Sequence, residues 1–424
     1  MVFHPREGRS EEGGWSPAIS RRDLLKGAAG VGAAMGLSSV LAACGAGASG
    51  KPTASLPSDL ARPNHPVKWP IYSADKPIAS GLSPERNATL KLYNWTAYIN
   101  KKVVKNFEKK YNCTVQITTF NTMDEALAKL QTGQLDFDVF IPTVDVLGPL
   151  IESKQLRPLN HSYIPNITQA WKEFQNPFYD QGWRYTVPYT IYTTGIAWRK
   201  DKVAGEPSDM SNPWAFPWQG KYKGRVAILD DYRESMSLGL LKNGITNLNT
   251  TDVSQLTAAK KSLLKLAALT DVHIDNNDWR NVPSGQIWIH HAWSGDMAAA
   301  EYYMPKGTPV SVVGYWFPSD GKGPVANDTM AVLAGGQNPV LAHLFLNYFL
   351  DLHNALENIG WNGYMQPLNK VTPALLIKEQ ILPKALSSTV VRESDFNTGL
   401  QELELPASAR AVWQQDWLEV SQGG

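Results

Sequence analysis

Ile287 to Asp296 reads Ile-Trp-Ile-His-His-Ala-Trp-Ser-Gly-Asp. It begins as an apolar and aromatic run of the kind that forms a buried strand, breaks at Ser294-Gly295, and sets Trp293 and Asp296 close together at the strand end. An indole face beside a carboxylate suits an organic cation with an apolar body, because the ring attracts the charge and covers the methylenes. The same residues also fit a core strand whose Trp packs and whose Asp caps a helix from Met297 to Tyr303. His290 and His291 are strand neighbours whose side chains face opposite ways, so they cannot share a metal; one belongs in the core and the other at the surface.

Moving towards the N-terminus, Arg225 to Leu229 forms another strand, ending at Asp230-Asp231-Tyr232-Arg233-Glu234. Between it and the opening stretch, Thr251 caps a helix carrying Val253, Leu256, Leu263 and Leu266. Tyr185 to Trp198 is rich in β-formers and reads as a segment crossing between domains. The folded part starts with a strand at Thr89–Trp95, followed by a helix with Val103, Val104, Phe107 and Tyr111 on one face. A strand at Val115 and Ile117, a helix at Met123, Leu127 and Leu130, and a strand from Phe137 to Ile141 stopped by Pro142 complete this part. Such strand-helix alternation predicts an α/β fold with a largely parallel sheet. Ligands of these sheets sit beyond the carboxyl ends of strands, where Trp95, Thr143 and Asp145 fall. Towards the C-terminus come a strand at Val310–Val313, Asn327-Asp328 entering another, an apolar helix around 341–352 and a loop from Trp361 to Pro367.

The chain has 424 residues, enough for two domains, and a formal net charge of +1. Its Lys and Arg residues are scattered rather than striped, which argues against nucleic-acid binding. Ser20-Arg21-Arg22-Asp23-Leu24-Leu25-Lys26 is a twin-arginine pattern, and the Gly/Ala-rich stretch after it is shorter than the ~20 strongly apolar residues of a spanning helix. Residues 1–43 therefore read as an export signal. Leu41-Ala42-Ala43-Cys44 resembles a lipobox, making Cys44 the lipidated first residue, anchored at the outer face of the cytoplasmic membrane. Of the two cysteines this leaves Cys113 without a partner, as a small core residue. Residues 44–87 are rich in Gly, Ser and Pro and read as a tether, with the part after Pro66 lying along the folded body. About 40 residues of coil span roughly 35 Å.

No zinc signature, nucleophile elbow or phosphate loop is present, and no cofactor is expected. What remains is a set of acids and aromatic residues near strand ends. Asp231 and Glu234 fit the acid and base of a glycosidase, a helix cap, or a cation site. A buried ammonium requires its charge and its N–H donors to be met, so each needs one or two carboxylates. Separate acids with Trp faces between them suit a ligand with spaced positive charges.

At these residues the chain resembles the spermidine- and putrescine-binding proteins of bacterial polyamine ABC transporters. The resemblance runs from about Leu90 to Pro367. It rests on Leu92-Tyr93-Asn94-Trp95-Thr96-Ala97-Tyr98, Asp136-Phe137-Asp138-Val139, Val187-Pro188-Tyr189, Tyr222-Lys223-Gly224, Asp230 to Glu234, Trp293 to Asp296, and Asn327-Asp328. It implies a two-domain periplasmic-binding-protein-like fold, with a ligand cleft between the domains and a hinge of crossing strands. Trp95, Tyr98 and Trp293 then wall a polyamine, Asp231, Glu234, Asp296 and Asp328 hold its ammonium groups, and Gln366 or Tyr364 adds a polar contact. Thr143-Val144-Asp145 departs from the family, which places Ser and aromatic residues there.

The expected domains are 88–195 with 294–337, and 196–293 with 338–395, followed by a C-terminal segment at 396–424. The expected role is a monomeric, lipid-anchored, non-enzymatic binding protein that hands a polyamine to ABC transporter permease subunits. A sugar or another small solute as ligand, and an exported glycosidase, are the alternatives.

Overall fold

The computed structural model describes residues 60–73, 76–133 and 136–423. The export signal, Cys44 and the first part of the tether lie outside the described residues. Within the later tether Trp69 is 4% exposed and donates its indole N–H to Tyr179 O at 2.7 Å, so this part does lie on the body, although Ile71 remains largely exposed.

The first half of the chain follows the expected alternation: β1 (Thr89–Trp95), α1 (Lys101–Tyr111), β2 (Thr114–Phe120), α2 (Met123–Gln131) and β3 (Val139–Phe140), then α3 (Leu147–Glu152). Asn100 and Thr122 cap α1 and α2 with their side chains, and α1 buries Val103, Val104 and Phe107. β4 (Thr186–Arg199) is buried at all 14 positions, which accounts for its unbroken run of β-formers: a strand covered on both faces has no reason to alternate. The second half contains β5 (Val226–Ile228), α4 (Tyr232–Lys242), α5 (Val253–Thr270), β6 (His273–Ile274), α6 (Asp278–Ser284), β7 (Ile289–Trp293) and α7 (Ser294–Ala298). β8 (Val313–Trp316), β9 (Pro324–Val332), α8 (Pro339–Phe349), α9 (Leu352–Asn362), α10 (Pro373–Lys378), α11 (Glu393–Thr398), β10 (Leu400–Gln401) and α12 (Ala407–Gly423) follow.

The strands form one sheet in the order β2-β1-β3-β9-β4-β7-β5-β6, with β10 on β9 and β8 on β4. The sheet is mixed rather than largely parallel. β1–β2, β1–β3, β5–β6 and β5–β7 are parallel units built through helices, whereas β4 pairs antiparallel with β9, β7 and β8. β4 is the axis of the arrangement: Thr186 to Thr193 pair with β9, and Thr194 to Trp198 pair with β7. A long crossing strand therefore joins the two halves, each with apolar packing of its own, one around Leu92, Phe107 and Phe345 and the other around Ile228, Leu263 and Trp413.

Several local expectations change. The helix of Val253 is capped by Asp252 rather than Thr251, through a bond from Ser254 N–H. Residues 310–312 form a 3₁₀ turn and the strand begins at Val313. The helix after β7 starts at Ser294, so Asp296 sits in its first turn and is not the cap. Both His290 and His291 are fully buried, because β7 lies inside the sheet and has no solvent face. The helices α8 and α9 fall in the 338–395 stretch expected with the second half. They instead pack on the first, where the rings of Phe107 and Phe345 lie 5.0 Å apart and Asn358 accepts from Asn100 N–H at 2.9 Å.

Candidate functional site

β1, α2, the turn after β3, the N-terminus of α4 and the end of β7 converge on one cavity of ≈ 360 Å³. Trp95, Thr143, Asp145, Asp231, Glu234 and Trp293 all line it. The strand-end logic explains the convergence: β1 and β7 terminate at Trp95 and Trp293, and β5 leads through Leu229 and Asp230 to the cap of α4. Asp231 is the helix cap that was one of its three readings, and it also lies on the cavity. Its Oδ1 accepts the N–H groups of Arg233 (2.9 Å) and Glu234 (3.2 Å), and its carboxyl faces the cavity. Arg233 turns its guanidinium away, donating to Leu403 O and to Leu248 O.

Glu234 is the best-defined acid in the cleft. It is 5% exposed, and its Oε1 accepts from the Trp293 indole N–H at 2.7 Å and from Thr194 Oγ1 at 3.0 Å. Its Oε2 is buried with no partner. Burial, followed by the neighbouring Glu402 and Asp231 carboxyls, pushes its pKa well up. The Trp95 indole N–H and Thr143 Oγ1, on the same cavity, are also buried without partners.

Tyr98, Asp328, Asp296 and Gln366 do not line this cavity; they lie behind its aromatic wall. A row of rings leads to them: Trp293 to Tyr192 at 6.5 Å, Tyr192 to Tyr364 at 5.9 Å, and Tyr364 to Tyr98 at 4.7 Å. At the far end the Tyr98 hydroxyl donates to Asp328 Oδ2, while Asp328 Oδ1 is buried and unpartnered. Asp328 stands in the middle of β9 rather than at a strand entry, and burial pushes its pKa up to about 7 against the opposing bonds from Tyr98 and Thr190. Gln366 is 1% exposed with both side-chain polar atoms unpartnered. Gly295 fits here for a packing reason, since a β-carbon at that position would overlap the Tyr364 ring.

Four residues of this region were not singled out from the sequence, or not in the role they have. Tyr192 lines the cavity from within β4, where the unbroken run of β-formers masks which side chains face a ligand. Tyr364 serves as a ring of the aromatic row more than as a polar contact. Asp278, at the start of α6, is fully buried, accepts from Trp293 N–H and shares a hydrogen bond with Asp296; burial and the Asp296 charge hold its pKa well up. Glu402 reaches the cavity from the C-terminal segment, far outside any recognisable pattern. No group of His, Cys, Asp and Glu among the described residues is arranged to hold a metal. Spaced carboxyls joined by rings can compensate separated positive charges and cover the carbon chain between them.

Residues 102–381 match the bacterial extracellular solute-binding protein family, and residues 18–38 match the signal sequence of the twin-arginine translocation pathway. The putrescine/cadaverine-binding protein of Pseudomonas aeruginosa is 30% identical over 335 residues, 78% of this chain and 93% of the relative. The spermidine/putrescine-binding periplasmic protein of Escherichia coli is 27% identical over 313 residues, 73% of this chain and 86% of the relative. Among solved structures, a spermidine/putrescine ABC transporter protein of Listeria monocytogenes superposes with a TM-score of 0.69 at 25% identity, covering 78% of this chain and 98% of its own. A lipoprotein of Treponema pallidum superposes with a TM-score of 0.66 at 24% identity, covering 78% and 99%.

Proposed function

Since the chain belongs to the bacterial extracellular solute-binding protein family, we propose that it captures a polyamine in this cleft and delivers it to an ABC transporter permease. A lipid on Cys44 anchors it at the outer face of the cytoplasmic membrane, and the tether lets the body reach the permease. The observation that carries the ligand assignment is the row of rings from Glu234 to Asp328, with an unpartnered carboxyl oxygen at each end. Each such oxygen is costly to bury and is relieved by an ammonium. The ligands named for the Pseudomonas aeruginosa and Escherichia coli relatives are amines of this kind. A sugar would leave both carboxyl groups without an opposite charge.

Isothermal titration of ligand-free protein with putrescine, spermidine and spermine is expected to give saturable heat for at least one of them, with the amine recovered unchanged. Silence for all three overturns the assignment. For the anchor, Cys44→Ser is expected to move the exported protein from the membrane fraction to the soluble fraction; unchanged partitioning would remove Cys44 as the lipid site.

A further inference from the structure

Beyond the matched region, the chain returns to the cleft. Leu400 and Gln401 pair in parallel with Pro324 and Val325 at the start of β9, the strand that also carries Asp328. Asn249 then clamps the backbone on both sides of residue 402, donating to Gln401 O at 2.8 Å and accepting from Leu403 N–H at 2.7 Å. Leu403 O also accepts from the Arg233 guanidinium, which lies over the Trp413 ring of α12. Glu402 is therefore a fixed residue on a fixed backbone. Its Oε1 accepts from Ser237 Oγ at 2.7 Å, and its side chain lines the same cavity as Glu234.

We propose that Glu402 is a further ligand-binding residue, forming with Glu234 a subsite for an additional ammonium group, so that the cleft selects triamines and longer polyamines over diamines. This rests on the polyamine reading of the site. Five carboxyl groups line the cavity, Asp124, Asp145, Asp231, Glu234 and Glu402, against only two arginines. Neither arginine bonds directly to one of the five: the Arg233 guanidinium donates to Leu403 O, Leu248 O and Asn249 Oδ1 and acts on Glu402 only through its charge, and Arg410 faces Glu404 at 3.8 Å. Glu234, which the two subsites share, is 5% exposed with Oε2 unpartnered on this cavity, so the cation-binding end of the row opens directly onto Glu402. On the polyamine reading, a diamine that spans from Glu234 to Asp328, behind the aromatic wall, uses one charge at each end. A third amine extending past Glu234 enters the ≈ 360 Å³ cavity, where Glu402 is held ready to receive it.

The test compares two ligands on two proteins by isothermal titration. Glu402→Gln keeps an acceptor for Ser237 and removes only the charge. It is expected to weaken spermidine binding by about tenfold or more while changing putrescine binding by less than about threefold, because only a ligand amine placed at the lost charge feels it. Equal losses for both amines, a greater loss for putrescine, or no loss for either overturns the subsite. So does a wild-type protein that binds putrescine but not spermidine, an outcome that leaves the polyamine reading intact. A wild-type protein that binds neither amine removes that reading instead.

Discussion

Glu234→Gln is expected to weaken polyamine binding by about 2 to 5 kcal/mol, with little change in thermal stability, the range seen when one partner of a buried charge pair is removed. The amide keeps an acceptor for the Trp293 indole and Thr194, so the walls stay in place. What is lost is the negative charge at Oε2, the one carboxyl oxygen of this residue that nothing in the protein satisfies. The amide also turns an N–H donor towards the bound ammonium, adding repulsion to the missing attraction. Asp328→Asn acts at the other end of the aromatic row, and because the two ends serve different amines their effects should add to within about 0.5 kcal/mol. Affinity for Glu234→Gln within about threefold of wild type, measured by titration, would remove Glu234 from the ligand contacts.

The second large effect is on pH dependence. Burial raises the pKa of Asp231 to about 6 and those of Asp328 and Glu402 to about 7, and holds that of Glu234 well above the usual carboxylate range. In the empty protein these groups hold protons that an ammonium must displace. Aliphatic amines titrate near about 10, so the ligand stays charged throughout this range. Affinity is therefore expected to rise from pH 5 to pH 8, by up to about tenfold per pH unit below the pKa for each proton displaced, which amounts to between about 10-fold and just under about 100-fold across the range if one carboxyl of pKa about 6 to 7 dominates. Protein stability runs the other way without ligand. A carboxyl whose folded pKa is raised stabilises the fold below its unfolded pKa of about 4, and that contribution fades as pH rises through 6 to 7. The increase in melting temperature produced by saturating spermidine should thus be small at pH 5 and large at pH 8. A ligand-induced shift that is flat across this range would show that binding displaces no protons from the cleft. Titration at pH 6.5 in buffers of different ionisation heat gives the direct proton count.

Much of the first half was legible because its elements are amphipathic and capped: α1 and α2 show one buried face each and begin at Asn100 and Thr122. The errors cluster where the signal is not local. Thr251 and Asp252 are both good caps, and only the backbone decides between them. One of His290 and His291 is expected at the surface, yet burial of β7 on both sides comes from neighbours distant in sequence. Apolar helices α8 and α9 carry no mark of which half of the sheet they cover; Phe345 finds Phe107 through the fold alone.

The site divides in the same way. Chemistry at strand ends follows from periodicity and residue type, so Trp95, Asp231, Glu234 and Trp293 could be named from the Ile287–Asp296 pattern and its counterparts, and they do meet on one cavity. An export signal is likewise linear information, read by its spacing and independent of packing. Tyr192, Asp278 and Glu402 belong to the other class. Tyr192 sits in a strand with no alternation to reveal its facing, Asp278 depends on the backbone of Trp293, and Glu402 is held in place by β9 and by Asn249, which bonds to Leu403 from 154 residues away in sequence. The sequence by itself determined which side chains could balance a cation. Only the tertiary structure decided which of them share one low-dielectric space, because charge compensation depends on distance and burial, and neither is a property of position along the chain.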